Sequence, residues 1–178
     1  MKYYLITQEE GNRIPYNINK NHAIDIRVLN HKDISKIGRK NIMEMDIPRD
    51  VFFPDIMFDP CLLVSRICME VILMYHKDTI YKGVKLLHRD TRTKATYFIP
   101  LLDELQCISE RTQYNNVGNR ITRLVLEASK ISEAAVFKIS EYNGKSIVGR
   151  EDFVESILRR GIKGVDFEEI ETDGNRWY

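Results

Sequence analysis

Apolar positions recur at helical spacing in two stretches of the chain and alternate with polar ones in several others. In the first helical stretch, Ile67, Val71, Met74 and Tyr75 form a stripe that Cys68 and Ile72 widen. Ser65 stands where an N-cap belongs. Met69 and Leu73 leave this helix little polar face, so it is expected to be largely buried. In the second, Phe153, Val154, Ile157 and Leu158 form the inward stripe. Glu151 and Asp152 open it, Arg159 and Arg160 close it, and Gly161 follows. That order complements the helix dipole and supplies a left-handed C-cap.

Strands are predicted where the period is two. Residues 3–7 read as a short strand, and residues 22–29 alternate Ala23 and Asp25 against Ile24, Ile26 and Val28. Residues 30–41 are polar and read as a loop. Residues 51–58 are aromatic-rich, but Pro54 makes them an extended edge segment. Residues 81–88 and 95–101 flank the charged tip Arg89-Asp90-Thr91-Arg92-Thr93-Lys94 as a hairpin. Further strands are predicted over residues 105–109, 122–126, 135–140 and 164–170, with a turn at Asn143-Gly144. Two principal helices and about seven or eight strands, not in βαβ alternation, define an α+β class with a mostly antiparallel sheet. Residues 1–178 are expected to form a single domain.

The 178 residues can bury roughly 70% of their unfolded surface, so no disulfide or metal staple is required. Twenty-seven basic residues face twenty-six acidic ones, which argues against a strongly basic nucleic-acid binder and an acidic disordered chain. Three widely spaced cysteines do not make a disulfide framework. No signal peptide or membrane-spanning run is evident, so the expected address is the cytoplasm, with no membrane partner. Charge is uneven along the chain: residues 151–178 carry four basic and eight acidic side chains.

Motifs for chemistry are scarce. His22, His31, His76, His88, Cys61, Cys68 and Cys107 show no zinc-ligand spacing, and no metal or other cofactor is expected. Cys68 and Cys107 read as small core residues, and His76 as a helix C-cap. There is no nucleophile elbow and no glycine-rich phosphate cradle. Asp103-Glu104 and Glu168-Glu169 are adjacent pairs, and neighbours on a strand point to opposite faces, so neither forms an acid–base dyad. Two alternatives stay open. One is a small hydrolase built on a Cys/His/Asp constellation. The other is a nucleic-acid module using Arg89, Arg92 and Lys94 with Tyr81 and Tyr97.

Three segments carry a resemblance. They are Pro54-Asp55-Ile56-Met57-Phe58-Asp59-Pro60 running into Leu63-Val64-Ser65; Ala95-Thr96-Tyr97-Phe98-Ile99-Pro100-Leu101-Leu102 followed by Leu105-Gln106-Cys107-Ile108-Ser109; and Leu158-Arg159-Arg160-Gly161-Ile162-Lys163-Gly164-Val165-Asp166-Phe167-Glu168-Glu169. In order and spacing, over residues 50–171, they resemble a bacterial immunity-protein family of polymorphic toxin systems. The type member of that family is a Myxococcus protein, and the family was earlier classed as a domain of unknown function. The resemblance implies a non-enzymatic cytoplasmic protein that binds a cognate toxin, often a nuclease, and blocks it. It implies no catalytic residues, and no direct nucleic-acid binding is expected.

Charge complementarity to a positive nuclease groove points to Asp166, Glu168, Glu169, Glu171 and Asp173 as toxin-binding residues. Alternation sets Asp166 and Glu168 opposite Val165 and Phe167. Trp177, with Tyr178, would add an aromatic anchor. Val51-Phe52-Phe53 is a rival patch.

Overall fold

The computed structural model describes every residue except Asn119, Ser132, Glu141, Asn143, Gly144 and residues 175–178. The expected turn at Asn143-Gly144 and the anchors Trp177 and Tyr178 thus lie outside the described residues.

The chain begins with strands β1 (Tyr3–Gln8), β2 (Lys40–Glu44), β3 (Ile56–Met57) and β4 (Leu63–Val64). Helix α1 (Arg66–Tyr75) precedes the hairpin of β5 (Tyr81–His88) and β6 (Thr93–Pro100). Short strands β7 (Glu104–Leu105), β8 (Gln113–Tyr114), β9 (Ile121–Arg123) and β10 (Val125–Leu126) lead to the one-turn helix α2 (Ala128–Ile131). The remainder is β11 (Val136–Ile139), β12 (Ser146–Arg150), α3 (Glu151–Arg159) and β13 (Val165–Thr172).

The mixed, sheet-dominated α/β content agrees with the sequence, but two expectations need correction. The described residues hold three α-helices rather than two. The sheets are mixed rather than mostly antiparallel: β10 runs parallel to β13, β11 to β7, and β2 to β5. The chain divides into two compact units. One comprises Met1–Thr7, Leu102–Ser156 and Asp166–Tyr178; the other comprises Gln8–Leu101 and Ile157–Val165.

The second unit is built on a five-stranded sheet ordered β2-β5-β6-β4-β3. The hairpin is in full register from Tyr81↔Pro100 to His88↔Thr93. Met43, Met57, Leu63, Val84, Leu86, Tyr97 and Ile99 fill its core. The predicted α1 is present, with Cys68, Met69, Val71 and Ile72 buried. Ser65 caps it by accepting from the Cys68 N–H at 3.4 Å, and His76 is its C-cap. The expected edge segment reduces to β3, which ends the sheet as predicted.

The predicted strand over residues 22–29 does not form. His22 adopts a left-handed φ of 50°, and Ile26–Val28 make a 3-10 turn instead. Side-chain bonds to the backbone outcompete a ladder here. Asn19 donates to the Ile24 carbonyl at 2.6 Å and accepts from the Ile24 N–H at 3.1 Å. The Asp25 carboxylate accepts from the Arg27 N–H at 3.1 Å. The same loop lies along β2, the edge strand. Asn21 donates to the Ile42 carbonyl and accepts from the Glu44 N–H, both at 3.1 Å. The Glu44 carbonyl accepts from the N–H groups of Asn19 and Lys20.

The first unit carries a six-stranded sheet ordered β10-β13-β1-β12-β11-β7. Tyr3, Leu5, Cys107, Leu126, Phe137, Val148 and Ile170 form its core. The Tyr3 hydroxyl is buried and donates to the Ile131 carbonyl at 2.8 Å. The predicted strand over 105–109 shortens to β7 with an isolated bridge at Ile108. Strands β8 and β9 pair only with each other and form a separate ribbon.

Candidate functional site: an acidic cleft along β13

Strand β13 is an extended segment in which Val165 and Phe167 alternate with Asp166 and Glu168 before Glu169 and the buried Ile170. Ile170 is buried while Asp166, Glu168, Glu169 and Glu171 are exposed. A cleft of about 270 Å³ runs beside the strand. Glu168, Glu169 and Glu171 line it, with Arg123, Tyr142 and the apolar Leu5, Ile121 and Leu124.

The acids differ in what they hold. Glu169 accepts from Lys2 at 2.9 Å, and that bond raises the lysine above its ordinary pKa. Glu171 receives a fork from Arg123, whose Nη2 lies 2.6 Å from each carboxylate oxygen. Asp173 accepts from the Ala128 N–H at 3.0 Å. That backbone bond, then the Ser109 hydroxyl, holds its carboxyl below the usual range, with the Arg111 charge adding further. Among the described residues, the side chains of Asp166 and Glu168 make no hydrogen bond or ion pair. The five expected toxin-binding acids thus separate into three that brace the fold and two whose charge faces solvent. The bracing partners Lys2 and Arg123 escaped the sequence reading, because nothing local links them to Glu169 or Glu171.

The other candidates fall into structural places. Phe53 packs against the core of its unit, and Phe52 lies beside Gly164, so Val51-Phe52-Phe53 is no open patch. At the hairpin tip, Arg89 pairs with Glu44, and Tyr97 is buried with its hydroxyl donating to the Pro54 carbonyl at 2.6 Å. Arg92 and Lys94 remain exposed there. Cys107 is buried in its unit's core, and Cys61 is partly buried against the core of the other.

Cys68 is fully buried in α1, and burial, with the Asp55 charge second, pushes its thiol up to about 12. A nucleophilic cysteine needs the opposite environment. Native Cys68 is therefore expected to stay unmodified by an alkylating reagent at about pH 8 and to react fully once the chain unfolds. Peptide mass spectrometry reads the site, and labelling of Cys68 in the folded protein would contradict this placement. The folded thiol lies above its ordinary value of 9.0, so its stabilising contribution is complete below about pH 9 and fades as the pH rises towards 12.

Among the described residues no helix is long and apolar enough to cross a membrane, and no group of three or more His, Cys, Asp or Glu side chains is placed to hold a metal ion. Fold and site together define a sheet-dominated α/β chain with a cleft beside one strand, in which Glu168 is the glutamate without a cationic partner among the described residues. No known protein-family model matches the chain, and no curated protein is significantly similar to it.

Proposed function

We propose that this chain is an inhibitory binding protein of the immunity type, which holds a cognate bacterial toxin and blocks its substrate groove. The observation that carries the reading is the pair of exposed carboxylates, Asp166 and Glu168, without partners among the described residues, the second of them lining the cleft. A groove built for a phosphate backbone is positive, and such a surface meets unneutralised carboxylates favourably. A nuclease is the toxin class that fits this sign. The resemblance borne by the three segments around Pro54, Tyr97 and Gly164 supports the same reading. In it the encounter takes place in the cytoplasm, needs no cofactor, and works by occlusion.

The test is growth rescue. The product of the adjacent gene is expressed in a naive host with and without this chain. Rescue accompanied by a co-purifying complex is expected. A non-toxic neighbour, or a toxic one that is not rescued, would remove the reading.

A further inference from the structure

Charge is divided unevenly between the two units. The one formed by Gln8–Leu101 and Ile157–Val165 holds eighteen Lys and Arg against twelve Asp and Glu, although the whole chain is nearly balanced. Part of that excess gathers on one face of its five-stranded sheet.

The register sets which residues share the face. Lys40, Ile42 and Glu44 of β2 stand beside Gly83, Lys85 and Leu87 of β5, and these oppose Phe98, Thr96 and Lys94 of β6. Burial agrees. The intervening Met43, Val84, Leu86 and Tyr97 are buried in the core, whereas Lys40, Ile42, Lys85, Lys94 and Thr96 are exposed. Lys85 and Lys94 are diagonal neighbours, at a backbone spacing of about 7–8 Å, close enough to hold neighbouring phosphates of one strand.

These cations are not engaged within the fold. Among the described residues, the side chains of Lys40, Lys85, Lys94 and of Arg92 at the hairpin tip make no ion pair. The carboxylate on the same face, Glu44, is taken up by Arg89. Asp90, the acid at the tip, lies 3.9 Å from His88.

An aromatic ring stands on the same face. Tyr81 lies two residues before Gly83 on β5, and its ring meets that of Phe98 edge to face, with centroids 5.7 Å apart. That contact steadies the ring while 43% of the residue stays exposed. Gly83 leaves the stretch between Tyr81 and Lys85 without a side chain.

We propose that this face of the five-stranded sheet binds a single-stranded nucleic acid, with phosphates on Lys40, Lys85 and Lys94 and a base stacked on Tyr81. Unpaired nucleotides fit such a surface, because every base has a face to stack and the backbone carries the charge. A duplex keeps its bases stacked inside and offers Tyr81 nothing. An acidic peptide would satisfy the lysines and leave the ring unused. Of the residues the tip alone offers, Arg89 and Tyr97 are withdrawn, by Glu44 and by the core; the sheet supplies Lys40 and Lys85 instead. The face shares no residue with the cleft beside β13, so it stands apart from the inhibitor reading.

Fluorescence anisotropy tests this with a labelled oligo-dT, a duplex of the same length and a polyglutamate peptide, at low and at physiological salt. Wild type is expected to bind oligo-dT with a Kd of about 10 μM or lower at low salt, and more weakly as salt rises. Lys85→Glu with Lys94→Glu should weaken binding roughly tenfold or more. It should also flatten the salt dependence by a slope of about 1.4, two phosphate contacts at about 0.7 each. Tyr81→Ala should weaken binding about fivefold or more with the slope unchanged, and Tyr81→Phe should bind like wild type. Lys32→Glu with Arg49→Glu makes the same charge change at exposed positions off the sheet and should cost less than about threefold. Thermal unfolding of each variant confirms that it is folded. Absence of oligo-dT binding by wild type would overturn the proposal, as would an equal loss in the control pair. Tighter binding of the duplex or of polyglutamate than of oligo-dT would also overturn it, the latter making the face a site for an acidic protein. None of these outcomes alters the growth-rescue result on which the inhibitor reading depends.

Discussion

Reversing both free charges, as Asp166→Lys with Glu168→Lys, is expected to slow association with the toxin by about 10- to 100-fold at low salt. Dissociation should change less, because long-range attraction acts on the encounter rather than on the docked contacts. The difference should shrink as salt rises, since the Debye length falls from about 30 Å at 0.01 M to about 8 Å at physiological ionic strength. Thermal stability should stay within about 0.5 kcal/mol, as both side chains are exposed and have no partner among the described residues. Glu171→Lys makes the instructive contrast. It places a lysine against Arg123 and loosens the root of the ribbon, so its effect combines charge with misplacement. Stopped-flow association at two salt concentrations separates the cases. Association rates that do not move at low salt would eliminate the acidic face as the steering surface.

Replacing Gly164 by alanine is expected to destabilise the unit formed by Gln8–Leu101 and Ile157–Val165 by about 2 to 5 kcal/mol. Gly164 has φ +78°, a region that costs an L-residue roughly 1–2 kcal/mol. The added Cβ would also lie 2.4 Å from the Pro54 Cβ and 2.8 Å from the Phe52 ring. Pro54 cannot turn aside. Its carbonyl accepts from the Tyr97 hydroxyl at 2.6 Å, and the next residue is clamped from both directions. The Asp55 N–H donates to the Lys163 carbonyl at 2.9 Å, and the Lys163 N–H donates to the Asp55 carboxylate at 2.8 Å. Gly161→Ala is the control. It shares a left-handed φ of 71° but has nothing within 4 Å of the new Cβ, so it should cost only about 1–2 kcal/mol. Denaturant unfolding of the two variants side by side decides the matter. Equal losses would mean that the crowding at Pro54 relaxes freely.

That hub also shows what the sequence conveys about this chain. Pro54 and Asp55, Tyr97, and Lys163 with Gly164 come from the three segments that carry the family resemblance, and they meet in one place. Their order and spacing answer to packing and backbone hydrogen bonding. They therefore speak about fold and say nothing direct about a partner.

Other elements were legible for equally local reasons. Helices α1 and α3 announce themselves by stripe and caps, and the β5–β6 hairpin by two apolar runs about a charged tip. Strand β12 was missed because Ile147, Val148 and Gly149 are all buried, so no alternation marks it. Strand β2 was missed because Lys40, Asn41 and Glu44 give it a polar surface, completed by a distant loop. Strand β8 escaped because Gln113 and Tyr114 are both exposed and too few to show a period, whereas β9 was met in part by the strand expected over residues 122–126. At the candidate site, the acidity of β13 was plain from composition. Which acids are neutralised was not, because Lys2 lies 167 residues from Glu169 and Arg123 48 residues from Glu171.

The amide of Asn21 has a consequence beyond its own two hydrogen bonds. It occupies the open flank of β2 much as a further strand would, satisfying one donor and one acceptor that point away from β5. An exposed flank of this kind is a template for another chain, and proteins ordinarily protect it with charge, proline or a covering helix. Here part of that protection comes from one uncharged side chain on a loop, beside the backbone N–H groups of Asn19 and Lys20. Asn21→Ala is therefore expected to lower the solubility of the folded chain by opening part of that flank, an effect that light scattering at rising concentration would read.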